Sequence, residues 1–173
     1  MRSRGGLEAT GLCRVYRRRG RTTPPSPALD GVGLHAEAGR SVGVVGESGS
    51  GKSTLVRILL GLDRPSAGEV RLDGELLVDP HRLPARGLRL RVQGVLQDAG
   101  GSLDPRLRVG TLIAEPLVAL RPDLDRSGRR QRVDELLAAV GLSGEVRAHR
   151  PLQLSGGMRR RVALARALAP GPE

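Results

Sequence analysis

The hydrophobic positions of the chain change period several times, and each change predicts a new element. Residues 12–16 (LCRVY) and 41–46 (SVGVVG) are short apolar runs that predict strands, the second buried and ended by glycine. Residues 52–62 (KSTLVRILLGL) change to a helical period. The apolar positions of that helix fall on one face: Leu55, Ile58, Leu59 and Leu62.

Residues beyond this helix predict a strand pair followed by helices. Residues 69–78 (EVRLDGELLV) alternate around a turn at Asp73-Gly74, whereas 81–95 carry only a weak pattern. Residues 108–120, which contain Pro116, favour a helix. Two amphipathic helices follow, within 126–142 and 154–169. Their apolar faces are predicted to be Val133, Leu136, Leu137 and Val140 in the first, and Val162, Leu164, Ala165 and Leu168 in the second.

Composition narrows the class of protein. The 173 residues contain no Phe, no Trp and one Tyr, Tyr16, so the core is expected to consist of aliphatic residues. The single cysteine, Cys13, has no partner for an internal disulfide, and no apolar run reaches the roughly 20 residues of a membrane span. These features predict a cytoplasmic protein that does not itself cross a membrane.

The formal net charge of +11 raises the possibility of an anionic partner such as nucleic acid or a lipid surface. The densest cluster, RRRGR at 17–21, precedes a Pro-rich stretch and predicts a charged loop. Aromatic residues that would stack on single-stranded bases are missing around it. We therefore interpret the charge as spread over solvated faces and expect no nucleic-acid partner. His35, His81 and His149 have no ligand-like spacing and are predicted to lie on the surface or in loops.

Residues 46–53 (GESGSGKS), here called the phosphate loop, fit the pattern G-x-x-x-x-G-K-[ST] between a predicted strand and a predicted helix. Gly46, Gly49 and Gly51 are expected to allow positive φ and close approach of a ligand. The backbone amides and the helix dipole then favour a polyphosphate. Lys52 is the one lysine among 29 Lys and Arg residues, and its slim ammonium suits a narrow site between phosphate oxygens.

Three further stretches resemble the ATP-binding domains of ABC transporters. Residues 154–173, beginning LSGGM, are similar to the signature of these domains and the helix that follows it. Residues 94–117 resemble the Q-loop in the form found in the dipeptide, oligopeptide and nickel importer branch. Residues 29–74 resemble the first half of such domains. The resemblance implies an α/β P-loop NTPase core with an N-terminal antiparallel β-subdomain and an inserted helical subdomain. It divides one domain, 1–173, into a β-subdomain and core (1–95), a Q-loop, helical subdomain and signature (96–158) and a returning helix (159–173).

The resemblance also implies site residues and partners. Tyr16 would stack on adenine, Lys52 and Gln97 would be catalytic, and Ser53 with Gln97 would hold Mg²⁺. ATP would contact Tyr16, Gly46, Glu47, Ser48, Gly49, Ser50, Gly51, Lys52, Ser53 and Thr54. Met158 stands where the family more often has glutamine. Ser155, Gly156 and Gly157 would cap the nucleotide of a second ATP-binding domain in a head-to-tail homo- or heterodimer.

The further partners implied are transmembrane permease subunits and a solute-binding protein, on the inner face of the cell membrane. The implied reaction is ATP hydrolysis that drives import of peptides or similar solutes. The family's next strand, with a magnesium-holding aspartate and a catalytic glutamate, has no counterpart in the 173 residues. We therefore expect an incomplete domain that binds ATP and hydrolyses little of it alone, with apolar surface exposed beside residues 41–46.

Two alternatives remain at this point. A different P-loop enzyme, such as a small-molecule kinase, would also use residues 46–53 but would give LSGG no role. A basic nucleic-acid-binding module rests on net charge alone, and its affinity would fall steeply with salt.

Overall fold

A four-stranded antiparallel sheet organises the first part of the chain. The computed structural model describes residues 5–16, 26–81, 86–95 and 101–173, and divides the chain into two compact units, Met1–Leu88 and Arg89–Glu173. The loop predicted at 17–21 lies outside the described residues. The strands are β1 (Gly6–Val15), β2 (Pro27–Glu37), β3 (Ala67–Leu72) and β4 (Glu75–Val78), in the order β2-β1-β3-β4.

The turn predicted between the last two strands is confirmed. Asp73 (φ 51°) and Gly74 (φ 82°) both have positive φ, as the two central residues of a type I′ hairpin turn require. The sheet buries Ala9, Leu12, Val70 and Val78, which come from its three adjacent strands β1, β3 and β4. Apolar area removed from water along this face stabilises the strand register.

Helix α1 (Lys52–Leu59) begins at the end of the phosphate loop and contacts β2. It buries Leu55 and Ile58, as the helical period predicts. The assignment of Leu62 to the same face is wrong: its side chain is 60% exposed. The helix ends before Leu62, and Gly61 (φ 64°) turns the chain away.

Residues 41–46 do not form the buried strand that their composition predicts. They have no regular secondary structure, all six are exposed, and the Val45 side chain is 93% exposed. A strand forms only where a neighbour pairs with its backbone, and no strand among the described residues pairs with this segment. The exposed valines agree with the expectation of uncovered apolar surface here.

The second unit is helical. Helix α2 (Arg86–Arg91) crosses the boundary into it, and α3 (Val109–Leu120), α4 (Arg126–Ala139) and α5 (Gly156–Leu168) lie within it, with short 3₁₀ turns at Gly144–Ala148 and Pro151–Gln153. The first of these helices falls in the stretch where the sequence showed only a weak pattern. The core of the second unit is aliphatic, as the composition predicts. It consists of Leu103, Val109, Leu112, Ile113, Leu117, Val133, Leu136, Leu137, Leu142, Val146, Leu154, Val162, Ala163, Ala165 and Ala169.

Local signals explain where these helices begin and end. The Asp125 carboxylate accepts a hydrogen bond from the Gly128 amide at the start of α4, at 2.7 Å. Gly141 (φ 69°) ends the same helix, as predicted. The Ser155 hydroxyl accepts from the Met158 amide at 3.2 Å and caps α5.

The buried face of α5 differs from the predicted one. Val162 and Ala165 are buried as expected, but Leu164 and Leu168 are 42% and 37% exposed, so their assignment to the core is wrong. Ala163 and Ala169 take their place, where α5 packs against α3 and α4. Small alanines allow closer approach of neighbouring helices than leucines would. Among the described residues, no helix combines the length and the apolarity that crossing a bilayer requires.

Leu137 provides a test of this packing. Leu137→Ala is expected to lower the free energy of unfolding by about 2–5 kcal/mol, because its side chain is fully buried and the truncation leaves a cavity. Urea unfolding followed by circular dichroism measures the loss. Leu164→Ala is the matched control and should cost much less, since Leu164 is 42% exposed. Equal losses would contradict the assignment of the α5 face.

Candidate functional site: the phosphate loop and its surroundings

The phosphate loop turns through two left-handed glycines. Gly49 (φ 85°) and Gly51 (φ 93°) have the positive φ expected of them. The same expectation for Gly46 is wrong, because its φ is not positive. Space restricts this position instead, since a Cβ on Gly46 would lie 2.7 Å from Ser50 Oγ.

Gly51 packs directly against strand β2. A Cβ at this position would collide with the carbonyl oxygen of Ala28 and lie 3.0 Å from Leu29 Cδ2. Gly51 also begins α1, and its carbonyl accepts the first intrahelical bond, from the Leu55 amide at 2.9 Å. Only glycine combines this backbone conformation with this contact.

The Lys52 ammonium is enclosed by the loop itself. Lys52 Nζ donates to the carbonyl of Gly46 at 2.7 Å, to the carbonyl of Glu47 at 2.6 Å and to Ser50 Oγ at 3.3 Å. No carboxylate of the described residues forms an ion pair with it. The positive charge therefore lies inside the turn, held by neutral oxygens that an anion could replace.

The start of α1 adds backbone donors beside this ammonium. The amides of Lys52, Ser53 and Thr54 precede the first intrahelical bond and have no acceptor within the helix. No described residue hydrogen-bonds the exposed Ser53 hydroxyl. Glu47 and Ser48 are exposed, like the other residues of 46–50. Amides, helix dipole and ammonium together create a site for an anion with several oxygens.

Tyr16 follows the end of β1, and the sheet register connects it to this loop. Val15 pairs with Pro27, and the next residue, Ala28, packs against Gly51. The Tyr16 side chain is 43% exposed, and its hydroxyl donates to Asp63 Oδ2 at 2.8 Å. No sequence motif marks Asp63 as a residue of this site.

The signature segment, residues 154–158, lies in the helical unit. Leu154 is buried and anchors it, whereas Ser155, Gly156 and Gly157 are exposed. A Cβ on either glycine would meet no atom within 4 Å, so the first turn of α5 presents an open backbone surface. Met158 packs partly against the core of this unit, which suits an apolar residue in place of glutamine.

The other residues considered in the sequence are Gln97 and the three histidines, and the histidines form no second site among the described residues. Gln97 lies outside the described residues. His35 and His81 are exposed and His149 is half-buried at the end of a 3₁₀ turn. Within the described ranges, no group of three or more His, Cys, Asp or Glu residues could hold a metal ion.

Comparison with known proteins identifies a family for this arrangement. A profile described as ABC transporter matches residues 29–173. Nickel import ATP-binding protein NikE of Pseudomonas putida is 45% identical over 145 residues, 84% of this chain and 53% of that protein. Di/tripeptide transport ATP-binding protein DppF of Pseudomonas aeruginosa is 41% identical over 146 residues, 84% of this chain and 45% of that protein. The chain thus spans about half the length of the curated relatives it matches.

Solved structures show the same fold. The dimeric structure of MJ0796, a bacterial ABC transporter cassette, is similar at a TM-score of 0.80 and 33% identity, covering 96% of this chain and 70% of that one. A dimeric post-hydrolysis state of the same cassette, bound to ADP and Pi, is similar at a TM-score of 0.79. The expected α/β fold of an ABC ATPase is confirmed. These matches do not favour a small-molecule kinase or a nucleic-acid-binding module.

The contact of Gly51 with β2 predicts a local loss of stability on substitution. Gly51→Ala should destabilise the first unit by more than about 1 kcal/mol, because alanine is strained at this φ and collides with the Ala28 carbonyl. Thermal unfolding measures the change. Gly43→Ala is the control, since a Cβ there meets nothing within 4 Å. A Gly51→Ala protein as stable as the control would contradict the contact.

Proposed function

Because this chain belongs to the ABC transporter family, we propose that its phosphate loop binds the phosphates of ATP, within the ATP-binding subunit of an importer. The observation that carries the proposal is the Lys52 ammonium, enclosed by the carbonyls of Gly46 and Glu47 beside the free amides of α1. Phosphate oxygens that replace these neutral acceptors add the attraction between opposite charges to each hydrogen bond of the ammonium.

The exposed groups near the phosphate loop also suit the base of the nucleotide and its Mg²⁺ ion. Tyr16 stacks on the base, because an exposed aromatic ring after β1 offers a flat face close to the loop. Mg²⁺ fits the Ser53 hydroxyl, which no described residue engages; Mg²⁺ prefers oxygen ligands and keeps several waters. From the family resemblance alone, Gln97 would supply a second oxygen ligand. When bound, the metal neutralises charge on the phosphates.

The signature segment is suited to contact a nucleotide bound by a second copy of this chain or by a related chain. Ser155, Gly156 and Gly157 expose a hydroxyl and bare amides at the start of α5, which is an arrangement suited to an anion. We propose that they cap the nucleotide held by the partner's phosphate loop in a head-to-tail dimer. The dimeric state of the MJ0796 cassette supports this arrangement.

The transport partners follow from the relatives. NikE and DppF are named for nickel import and for di/tripeptide transport. We propose that this chain acts with transmembrane permease subunits and a solute-binding protein on the inner face of the membrane, for peptides or similar solutes. A polypeptide of these 173 residues is expected to bind ATP and hydrolyse little of it, because the family's catalytic aspartate and glutamate have no counterpart among them.

Lys52 gives the direct test of ATP binding. Lys52→Ala should raise the Kd for Mg-ATP roughly tenfold to a hundredfold, the effect of losing hydrogen bonds to a charged group. Lys52→Arg should also weaken binding, because the planar fork does not fit the turn. Equilibrium dialysis with labelled ATP gives the affinities.

Arg57→Ala is the matched control for charge. Arg57 is exposed in the last turn of α1, so its loss removes one positive charge from the same helix without touching the loop. ATP affinity of the control should stay within about twofold of the parent. Equal weakening by Lys52→Ala and Arg57→Ala would mean that net charge, and not the loop, retains ATP.

Complementation tests the head-to-tail dimer. Ser155→Asp keeps a good helix cap but places a carboxylate against the partner's phosphates, so it should abolish ATP-dependent dimerisation, as should Lys52→Ala. Mixing the two variants should restore dimers, because one site of the heterodimer then has both native residues. Sedimentation velocity with Mg-ATP measures the dimer fraction, and a mixture that stays monomeric while the parent dimerises would refute the arrangement.

A further inference from the structure

The Asp63 carboxylate joins three groups at the end of the sheet. Oδ1 accepts from Arg14 Nη2 at 2.7 Å and from the Arg64 amide at 2.8 Å, and Oδ2 accepts from the Tyr16 hydroxyl at 2.8 Å. Both oxygens are therefore engaged by fixed donors. The side chains of Arg14 and Asp63 are only 23% and 16% exposed, so this pair differs from a freely solvated surface ion pair.

Arg14 also fixes the plane of the Tyr16 ring. Its guanidinium carbon lies 4.6 Å from the ring centroid, within the range of a cation–π interaction. Arg14 lies near the end of β1 and Tyr16 directly follows that strand, so the two side chains contact each other where the strand ends. One face of the ring is thus covered by Arg14, while the hydroxyl is held by Asp63. The Tyr16 side chain is 43% exposed, so part of it is accessible to a ligand.

The segment that carries Asp63 is itself anchored to β1. Ser66 donates its amide to the Cys13 carbonyl at 2.7 Å, and its hydroxyl accepts from the Val15 amide at 3.1 Å. At its other end, the Asp63 amide donates to the carbonyl of Arg57 in α1. The carboxylate therefore lies at a fixed junction between the helix of the phosphate loop and the strand before Tyr16.

We propose that Arg14 and Asp63 are positioning residues for recognition of a nucleotide base. Arg14 supports one face of the Tyr16 ring, Asp63 prevents the ring from rotating away, and the base stacks on the exposed part of the ring. This inference rests on the proposed function, because it requires phosphates in the phosphate loop to bring a base to Tyr16. A ring that is already oriented loses less conformational freedom when the base stacks on it.

The test compares Mg-ATP with inorganic tripolyphosphate, which has the phosphates and no base. Asp63→Ala and Arg14→Leu should raise the Kd for ATP at least threefold and leave the Kd for tripolyphosphate within about twofold. Tyr16→Ala should raise the ATP Kd roughly fivefold to a hundredfold, also without an effect on tripolyphosphate. In the Tyr16→Ala background, Asp63→Ala should have no further effect.

Glu69 and Arg71 provide matched controls. They form a partly exposed ion pair on β3 at 2.7 Å, so Glu69→Ala and Arg71→Leu change the net charge by the same amounts without touching Tyr16. Neither should change the binding of ATP or tripolyphosphate. Tyr16 is the only Phe, Tyr or Trp residue of the chain, so intrinsic tyrosine fluorescence reports on this ring alone. ATP should change its emission, after absorbance correction, and tripolyphosphate should not.

The outcomes separate the two proposals. Equal weakening of ATP and tripolyphosphate by Asp63→Ala would show that Asp63 only supports the fold, and would overturn the inference. Unchanged ATP binding in both Asp63→Ala and Arg14→Leu would overturn it as well. Failure of Lys52→Ala to weaken either ligand would instead remove the proposed function, whatever Asp63 and Arg14 do.

Discussion

The close approach of Gly51 to the Ala28 carbonyl fixes where helix α1 begins, and the phosphate loop depends on that contact. A side chain at this position would push the helix away from β2, and a right-handed backbone would turn the first amides elsewhere. With glycine in place, the amides that precede the first intrahelical bond lie beside the Lys52 ammonium. The loop needs no further residue to concentrate positive charge at one point.

The acceptors around Lys52 explain why this position is lysine in a chain that otherwise uses arginine. A compact ammonium has three donors, and the turn offers three oxygens at 2.6–3.3 Å, two carbonyls and one hydroxyl. A guanidinium is planar and cannot satisfy acceptors arranged around one point. These acceptors are neutral, so anionic phosphate oxygens compete favourably for the same donors. The single lysine therefore follows from the shape of the site.

Local signals made most elements and the phosphate loop predictable, because helix caps, turn glycines and the G-x-x-x-x-G-K-[ST] pattern act over a few residues. The predictions that were wrong depend on contacts between residues far apart in the sequence. Residues 41–46 have strand composition but no pairing partner among the described residues. Leu164 is exposed, and alanines that fit between the helices are buried instead. The bond from Arg14 to Asp63 joins positions 49 apart, and nothing in the local sequence connects them.

Helix α1 connects the two ends of the candidate nucleotide site. Lys52 begins α1, and Asp63 follows its last turn, where its amide donates to the Arg57 carbonyl. A helix of eight residues is about 12 Å long and stiff on this scale. The separation between the ammonium and the carboxylate that holds Tyr16 is therefore set by backbone geometry. A nucleotide that matches this separation satisfies both ends without rearrangement, whereas a ligand that engages only one end gains nothing from the other.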